Sequence, residues 1–334
     1  MLLISLLFLS LFYAGAESSA VNSTTAGQCS TDGALECSLA DGHLHHRIGQ
    51  QLDPQRLFNE STHDENQNGF AFKHDAASYL LTRGKHGSFV VFPLDFFVSA
   101  SLIVHGVWEE TLLMSVEKLL QPGCWVADVG ANIGSLTVPM ARRVAPHGRV
   151  VAFEPFRRIF QVLAANVVLN GLGSVVRTVN AAVGNAKELM TIPTYDYDHI
   201  GNFGASTVDT DRPSDWIGTA GKATEAVWRV RLDDMEWPRL DVIKIDVERM
   251  GMQVLQGAMQ TTARHLPVLM VEADLSSPQT VPAFLDSAAG KGTYSCFFGC
   301  TRPQVGVLRN EDFTFIPPDC SILTCVPPHV KVTG

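Results

Sequence analysis

The sequence predicts an α/β fold in which helices cover both faces of a largely parallel sheet. Four short segments are nearly continuously apolar, as strands buried on both sides are. They are residues 126–129, 149–153, 241–247 and 265–272. After the second segment, Pro155 suits a first helical position, apolar side chains recur at helical spacing, and Asn170-Gly171 suits the helix end. Strands and helices therefore alternate, which is the pattern of an open α/β sheet.

The first of these strands runs into a loop with two glycines, Gly130 and Gly134, which let the backbone approach a ligand closely. A dinucleotide fingerprint demands another glycine where this loop has Ala131 and Asn132, so a nicotinamide oxidoreductase is disfavoured. Asp128, just before the loop, would repel a phosphate but suits an ammonium or sulfonium group. S-adenosylmethionine carries both groups. We therefore expect Asp128, Gly130, Asn132 and Gly134 to form part of a site for this cofactor.

The second strand ends at Glu154, which lies 20 residues after Gly134. At this offset an open α/β fold brings an acidic side chain to a ribose, whose two hydroxyls suit two carboxylate oxygens. The alternative is a solvated charge that stabilises the helix start. A third strand, residues 175–179, places Asn180 and Ala181 at its carboxyl end, where small side chains leave room for an adenine ring. In the alternative interpretation these residues are ordinary core.

Six separated blocks of the chain resemble, in order, the FkbM family of methyltransferases. They are DVGANIG (128–134), AFEP (152–155), NVVLNGL (166–172), NAAVG (180–184), LDD (232–234), and IKIDVE (243–248) with VLQGA (254–258). The resemblance spans roughly residues 90–327. It implies the class I methyltransferase (Rossmann-like) fold, a seven-stranded sheet with one antiparallel strand and helices on both faces. It also implies S-adenosylmethionine at the carboxyl ends of the strands and, for most members, methylation of hydroxyl oxygen.

Methyl transfer to an alcohol benefits from a positioned base. We expect Asp246 or Glu248, at the end of the strand nearest the methyl donor, to orient or deprotonate the hydroxyl. His199 would reach over from an irregular polar segment, residues 191–224, that we interpret as a substrate-recognition lid. The alternative is that the acids only cap a strand and that His199 is solvated. By resemblance, Asp95, Gly106 and Glu110 would lie at the mouth of the site.

The segment after the acid pair, where the methyl acceptor is expected to bind, departs from the family pattern. After the acid pair that pattern continues with a glycine and then a glutamate, whereas this chain has Arg249 and Met250 followed by Gly251. Arg249 would pair with Glu248 and lower its basicity. A competing hypothesis is therefore a catalytically degenerate methyltransferase fold that serves as a binding module in the secretory pathway. The intact Asp128, Gly130, Gly134 and Glu154 oppose it.

The N-terminal region indicates a secretory route. Residues 1–16 resemble a cleaved signal peptide, with a signal anchor as the alternative, and residues 17–70 form a polar tail with glycosylation acceptors at Asn22 and Asn59. Residues 71–330 form the methyltransferase-like domain, without a further membrane span. A net charge of −9 argues against nucleic acid as substrate. In this compartment the natural acceptor is a glycan or a small metabolite.

The cysteine count is consistent with an oxidising compartment. Six of the seven cysteines are expected to pair, and Cys124, next to a buried strand, is expected to remain a free thiol. The four C-terminal cysteines, Cys296, Cys300, Cys320 and Cys325, do not have the spacing of a common zinc site, so no metal is expected.

Overall fold

The computed structural model describes residues 70–74, 77–208, 220–272, 277–299 and 322–330. The predicted signal peptide, the polar tail up to residue 69 with its glycosylation acceptors, and four of the cysteines lie outside the described residues. The elements, in chain order, are β1 (Phe70–His74), β2 (Ala77–Gly84), β3 (Gly87–Val91), α1 (Val98–Val104), α2 (Glu110–Leu119), β4 (Trp125–Val129), α3 (Thr137–Val144), β5 (Arg149–Phe153), α4 (Arg157–Leu169), β6 (Val176–Val179), β7 (Ala181–Val183), β8 (Glu188–Tyr195), β9 (Ala220–Val230), β10 (Val242–Ile245), α5 (Gly251–Gln256), α6 (Met259–His265), β11 (Val268–Glu272), α7 (Ser277–Ala289), β12 (Ser295–Gly299) and β13 (Ile322–Val326).

The central sheet has seven strands in the order β12-β13-β11-β10-β4-β5-β6. Pairing is parallel from β11 to β6, whereas β13 runs antiparallel to both β11 and β12. The chain moves outward from β4 through β5 to β6 and then returns to place β10 beside β4. This order confirms the predicted class I methyltransferase fold and the closing antiparallel strand. It also creates a topological switch point between β4 and β10, where ligands bind in open α/β sheets.

Alternate residues of the central strands bury on opposite faces of the sheet. Val126 packs in one apolar cluster with Leu163 of α4, whereas its neighbour Ala127 packs in a second cluster with Leu255 of α5 and Leu285 of α7. The strand period of two therefore generates two hydrophobic layers. Helices on both faces, as predicted, are confirmed.

Two smaller sheets flank the central one. Strands β1, β2 and β3 form an antiparallel sheet, and β9 pairs with β7 in parallel and with β8 in antiparallel orientation. The prediction that residues 191–224 are irregular is therefore wrong at both ends. Of β8, only Ile192 and Tyr195 are buried, so the strand lacks the strict alternation that would have revealed it in the sequence. Residues 209–219 lie outside the described residues.

Several predicted boundaries shift. The helix after the glycine loop, α3, begins at Thr137, so Pro139 occupies its first turn, where a missing N–H leaves no helical hydrogen bond broken. Pro155 precedes α4, for which Phe156 is the N-cap. The apolar run that starts at His265 begins as the end of α6, and β11 follows from Val268.

A buried asparagine ties α4 to the glycine loop. The Asn166 amide donates to the carbonyl oxygens of Val90 (3.0 Å) and Ile133 (2.8 Å) and accepts from the Val90 N–H (2.6 Å). Asn166 is completely buried, so these bonds replace the water that the amide loses. One residue of the family block NVVLNGL therefore fixes the wall of the site without entering it.

Cys296 and Cys325 face each other across β12 and β13 and form a disulfide. Cys124 is a free thiol, as predicted. Within the described part of the chain, no helix is both long and apolar enough to cross a bilayer, and no cluster of three or more metal-ligating side chains is found.

Candidate functional site

A cavity of about 230 Å³ opens at the carboxyl ends of β4, β5, β10 and β11. One wall is the glycine loop after β4 and the turn after β5, and the opposite wall is the acidic segment after β10. Residues 202–208 close it from above. Six of the predicted site residues lie together in the lining of this cavity. They are Gly130, Asn132, Glu154, Ala181, Asp246 and Glu248.

The two loop glycines serve different contacts. Gly130 has φ +78°, and a Cβ there would lie 1.9 Å from the carbonyl oxygen of Asp246, so only glycine lets the loop pass under the end of β10. Gly134 has φ +87° and packs against Leu163 of α4, where a Cβ would lie 2.8 Å from the Leu163 side chain. Gly134 thus lies beneath the cavity rather than in its lining.

Glu154 is 5% exposed and is held by the backbone. Its Oε2 accepts from the N–H of Asn132 and its Oε1 from the N–H of Phe156, both at 3.0 Å. Asn132 has a left-handed φ of +50°, which directs its N–H to this carboxylate. Burial raises the pKa of Glu154 to about 7, against the opposing effect of the two N–H groups. The side chain is therefore buried and fixed, not the solvated charge that was the alternative interpretation.

The segment after β6 supports this carboxylate. Asn180 Nδ2 donates to the carbonyl oxygens of Glu154 and Pro155, each at 2.9 Å, and so fixes the turn from outside the lining. Ala181 and Ala182 then contribute a flat wall of small side chains. This arrangement leaves room for a planar ring beside Glu154.

Asp128 lies beneath the cavity, fully buried. Its Oδ2 accepts from Thr137 Oγ1 at 2.6 Å, and its Oδ1 lies 3.3 Å from Lys244 Nζ. The two residues are register partners on β4 and β10, so the sheet itself brings them together. Lys244 Nζ also donates to the Gly130 carbonyl oxygen (3.0 Å) and lies 3.2 Å from Asp246 Oδ2. Asp128 therefore anchors the loop through Lys244.

Sequence reasoning missed Lys244, although a lysine within an otherwise apolar strand was a usable signal. Burial alone would lower the pKa of Lys244, but the carboxylates of Asp246, Asp128 and Glu109 outweigh burial and raise it above its ordinary value. The lysine is thus a fixed cation at the centre of the site.

Four carboxyl groups line the part of the cavity around Asp246. Two are the predicted Asp246 and Glu248, and the others, Glu109 and Glu272, were not among the predicted site residues. Burial and then the charge of Asp246 raise the pKa values of Glu109, Glu248 and Glu272, that of Glu109 to about 7. The Glu272 carboxyl also shares a hydrogen bond with Asp246. This acidic half holds more carboxyl groups than one lysine neutralises.

The predicted mouth residues take other positions. Glu110 is exposed and pairs with Lys85 at 2.7 Å, while the preceding residue, Glu109, lines the cavity. Asp95 is buried and caps the start of α1, with its Oδ2 accepting from Ser99 N–H (2.8 Å) and Ser99 Oγ (2.9 Å). Its Oδ1 accepts from the N–H of Phe203 at 3.3 Å. Asp95 thereby holds the covering segment.

The covering segment, residues 202–208, is attached on both sides. Gly201 pairs with Asp95 as a bridge, and Thr207 Oγ1 donates to the Glu248 carbonyl oxygen at 3.2 Å. Phe203 packs with Phe92 and Tyr197 beneath it. His199 precedes this segment, is 72% exposed, and bonds Asp196 at 2.9 Å outside the cavity.

The departure from the family pattern carries strain. Arg249 has φ +63°, a left-handed conformation that costs a residue with a side chain about 1–2 kcal/mol, and it occupies the place where the resemblance implies glycine. Met250 lines the cavity beside it. Arg249 therefore adopts a backbone conformation that suits glycine.

No curated protein sequence matches this chain. Among solved structures, a methyltransferase FkbM from Methylobacillus flagellatus KT is 16% identical with a TM-score of 0.42, covering 61% of this chain and 43% of that one. This chain thus spans less than half the length of that protein. A precorrin-6y C5,15-methyltransferase from Geobacter metallireducens GS-15 is 16% identical with a TM-score of 0.38, covering 66% and 89%.

The O-methyltransferase TomG from Streptomyces achromogenes, in complex with S-adenosylmethionine, is 15% identical with a TM-score of 0.33, covering 66% of this chain and 79% of that one. The family profile of the methyltransferase FkbM domain matches residues 128–290, which include the glycine loop, Glu154 and the acidic segment. Residues 128–290 therefore match the methyltransferase FkbM domain, and they contain most of the parallel strands of the sheet described above.

Proposed function

We propose that the protein is an S-adenosylmethionine-dependent methyltransferase that acts on a hydroxyl oxygen. The observation that carries the proposal is Glu154, a buried carboxylate that faces the cavity at the switch point of the sheet. Two backbone N–H groups fix its oxygens, and each oxygen keeps a lone pair for a hydroxyl. A ribose diol has the two donors that this arrangement accepts.

The rest of the lining fits the remaining parts of the cofactor. Ala181 and Ala182 form the flat wall that an adenine ring requires. Gly130, which tolerates no Cβ, brings the backbone close to the ligand. The acidic half favours a sulfonium and an ammonium group over a phosphate. Asp128 acts in this proposal through Lys244, which positions the glycine loop, rather than by touching the cofactor.

When bound, S-adenosylmethionine supplies an electrophilic methyl group. Residues of this chain then hold an acceptor oxygen in line with that methyl group, and positioning of this kind supplies roughly 7–11 kcal/mol of the barrier. The covering segment, residues 202–208, excludes water from the reaction. Asp246 and Glu248 orient the acceptor from the end of β10, whereas His199 bonds Asp196 outside the cavity.

The acceptor we propose is a hydroxyl of a glycan or a small metabolite within the secretory pathway. Support comes from the apolar N-terminal residues, from the glycosylation acceptors and from the disulfide between Cys296 and Cys325. The net charge of −9 disfavours nucleic acid as acceptor.

One observation favours a second candidate function, a binding module without transfer activity. The strained Arg249 lies next to Glu248, in the part of the site where the acceptor would bind. A protein that keeps the cofactor half and has lost catalysis would bind S-adenosylmethionine and transfer nothing.

The test is calorimetric titration of the oxidatively folded protein with S-adenosylmethionine and S-adenosylhomocysteine, with Asp128→Ala as the comparison. A screen then follows methyl transfer from labelled S-adenosylmethionine to glycans and small hydroxyl compounds. Binding with transfer is the expected result, binding without transfer favours the binding module, and a folded protein that binds neither ligand refutes both.

A further inference from the structure

Glu109 combines three features found together at no other carboxylate in the described part of the chain. It lines the cavity, its backbone is held at φ +48°, and its Oε2 is buried without a hydrogen-bond partner. A buried carboxylate oxygen without a partner is costly. A left-handed backbone adds about 1–2 kcal/mol to that cost. Such costs, kept at a cavity wall, point to a ligand that supplies the missing partner.

Several of the other acidic side chains of the site are already engaged. Asp246 forms an ion pair with Lys244 and shares a hydrogen bond with Glu272. Asp128 is tied to Thr137 and Lys244 beneath the cavity. Glu154 accepts two backbone N–H groups at the opposite wall. Of the two remaining carboxyl groups in this part of the lining, Glu109 and Glu248, only Glu109 has a buried oxygen without a hydrogen-bond partner.

Its basicity also suits proton transfer at neutral pH. Burial and then the charge of Asp246 raise the pKa of Glu109 to about 7, while Lys244 acts in the opposite direction. The charged and titratable groups that face it are Asp246 and Lys244 from the β10 side and Glu272 from the end of β11. A general base works best when its pKa lies near the operating pH.

We propose that Glu109 is the catalytic base of the methyl transfer, an inference that rests on the proposed function. The acceptor O–H proton passes to Glu109 Oε2 while the oxygen uses an electron pair to bond the methyl carbon. The bond between that carbon and sulfur breaks, and sulfur keeps the electron pair, so its positive charge is lost. The Glu109 carboxylic acid then releases its proton to solvent.

The assignment is tested without knowing the acceptor, by comparing two cofactor analogues. In sinefungin a carbon bearing an ammonium group replaces the sulfur, so a cation lies where the methyl group would be. S-adenosylhomocysteine is neutral there and otherwise matched. The affinity of each is measured by calorimetry from pH 5.5 to 8.5 for the wild type and for Glu109→Gln. Glu110→Gln is the control, because Glu110 is exposed on the same helix and pairs with Lys85.

We expect wild-type protein at pH 8 to bind sinefungin about 10- to 100-fold more tightly than S-adenosylhomocysteine, since a hydrogen bond to a charged group is among the strong ones. This ratio should fall as pH drops through about 7 and Glu109 becomes protonated. Glu154 is proposed to contact the ribose, which both ligands contain. Its protonation therefore changes both affinities equally and leaves their ratio unchanged. Glu109→Gln should lose the advantage and its pH dependence, and Glu110→Gln should keep both.

Two results would overturn the inference in different ways. If neither ligand binds, the proposed function fails and Glu109 loses its role with it. If both bind but the ratio is the same in Glu109→Gln and in Glu110→Gln, only the Glu109 assignment fails. The pH dependence of the wild-type ratio is a second measurement that needs no variant, and a ratio that is flat from pH 5.5 to 8.5 also rejects the assignment.

Methyl transfer gives a further readout once the screen has yielded an acceptor. Glu109→Gln should lower kcat about 10²- to 10⁴-fold while the affinity for S-adenosylhomocysteine stays unchanged. The fall of the rate below pH 7 should disappear in this variant. A kcat within threefold of that of Glu110→Gln would show that Glu109 is not the base.

Discussion

The two halves of the cavity handle buried charge differently. In the half formed by the loops after β4 and β5, the Glu154 carboxylate is satisfied by backbone N–H groups of the chain itself. In the half after β10 and β11, the charge of Asp246 acts on three further carboxyl groups, those of Glu109, Glu248 and Glu272. In the first half both carboxylate oxygens have hydrogen-bond partners within the chain, whereas the second half contains a buried carboxylate oxygen, Glu109 Oε2, without one.

This difference indicates where specificity and chemistry lie. In the first half, backbone N–H groups hold the carboxylate, so its position does not depend on neighbouring side chains. In the second half the carboxyl groups act on one another, so a substitution of any of these side chains alters the electrostatics of the others. Arg249, which departs from the family pattern, lies in this half. Lys244 joins the halves, because it contacts Gly130 on one side and Asp246 on the other.

The largest effect is expected from Lys244→Met, which would disconnect the halves. Removing one partner of a buried ion pair leaves uncompensated charge, here on the fully buried Asp128, and should lower the free energy of unfolding by about 3–5 kcal/mol. Urea unfolding at pH 7 measures this. The control is Lys85→Met, which breaks an exposed pair worth less than about 1 kcal/mol. Equal losses in the two variants would show that Lys244 is not the structural centre of the site.

The next effect concerns the contact of the glycine loop with β10. Gly130→Ala places a Cβ 1.9 Å from the Asp246 carbonyl oxygen at φ +78°, and should cost roughly 3 kcal/mol of stability or more. Gly171→Ala is the matched control, since φ is +68° there but no atom lies within 4 Å, so only the backbone term of about 1–2 kcal/mol applies. If Gly130→Ala and Gly171→Ala unfold at the same urea concentration, the loop accommodates the added methyl group without a further cost in stability.

The third prediction tests the cofactor half alone. Glu154→Ala should weaken S-adenosylhomocysteine binding by about 1.5–3 kcal/mol for each hydrogen bond lost. Glu188→Ala, an exposed change on β8, should leave the affinity unaltered. Because the pKa of Glu154 is raised to about 7, wild-type affinity should increase as pH rises through 7 and the carboxylate ionises. Calorimetry checks both effects, and a pH-independent affinity that survives the alanine change would rule out the ribose contact.

The smallest effect is expected in the acceptor half, where Arg249→Gly should stabilise the protein. The substitution relieves the left-handed strain, but glycine also gives the unfolded chain more conformational entropy. The net result should be an increase of about 0.5–1 kcal/mol in the free energy of unfolding. Arg264→Gly on α6 should act with the opposite sign and cost about 1 kcal/mol, because its backbone is helical. Thermal unfolding of the two variants gives the comparison, and a loss of stability in both would mean that the Arg249 side chain contributes more than its backbone costs.

Much of the cavity half formed by the loops after β4 and β5 could be predicted from the sequence, because the residues that indicate it lie in short, continuous segments. Gly130, Asn132, Glu154 and Ala181 each follow directly after a strand, and parallel strands end at one edge of the sheet. The glycine loop was recognised for the same reason, although Gly134 turned out to serve packing against α4 and Asp128 turned out to be paired with Lys244.

The acidic half could not be predicted in the same way. Glu109 and Glu272 are 163 residues apart in the sequence, and nothing in either segment indicates that both face Asp246. Glu110 was preferred to Glu109 because a sequence does not show which of two adjacent acids turns inward. That choice follows from the left-handed backbone at Glu109, which depends on tertiary packing.

The sequence by itself determined the fold class and the residues that follow the ends of the strands, since apolar periodicity and strand-end residues are properties of short segments. Only the tertiary structure decided which charges are buried together. The register of β4 against β10 brings Lys244 beside Asp128, and the return of the chain to β11 adds Glu272. Electrostatic interactions of this kind act through space between distant segments, and their strength depends on burial that no single segment encodes.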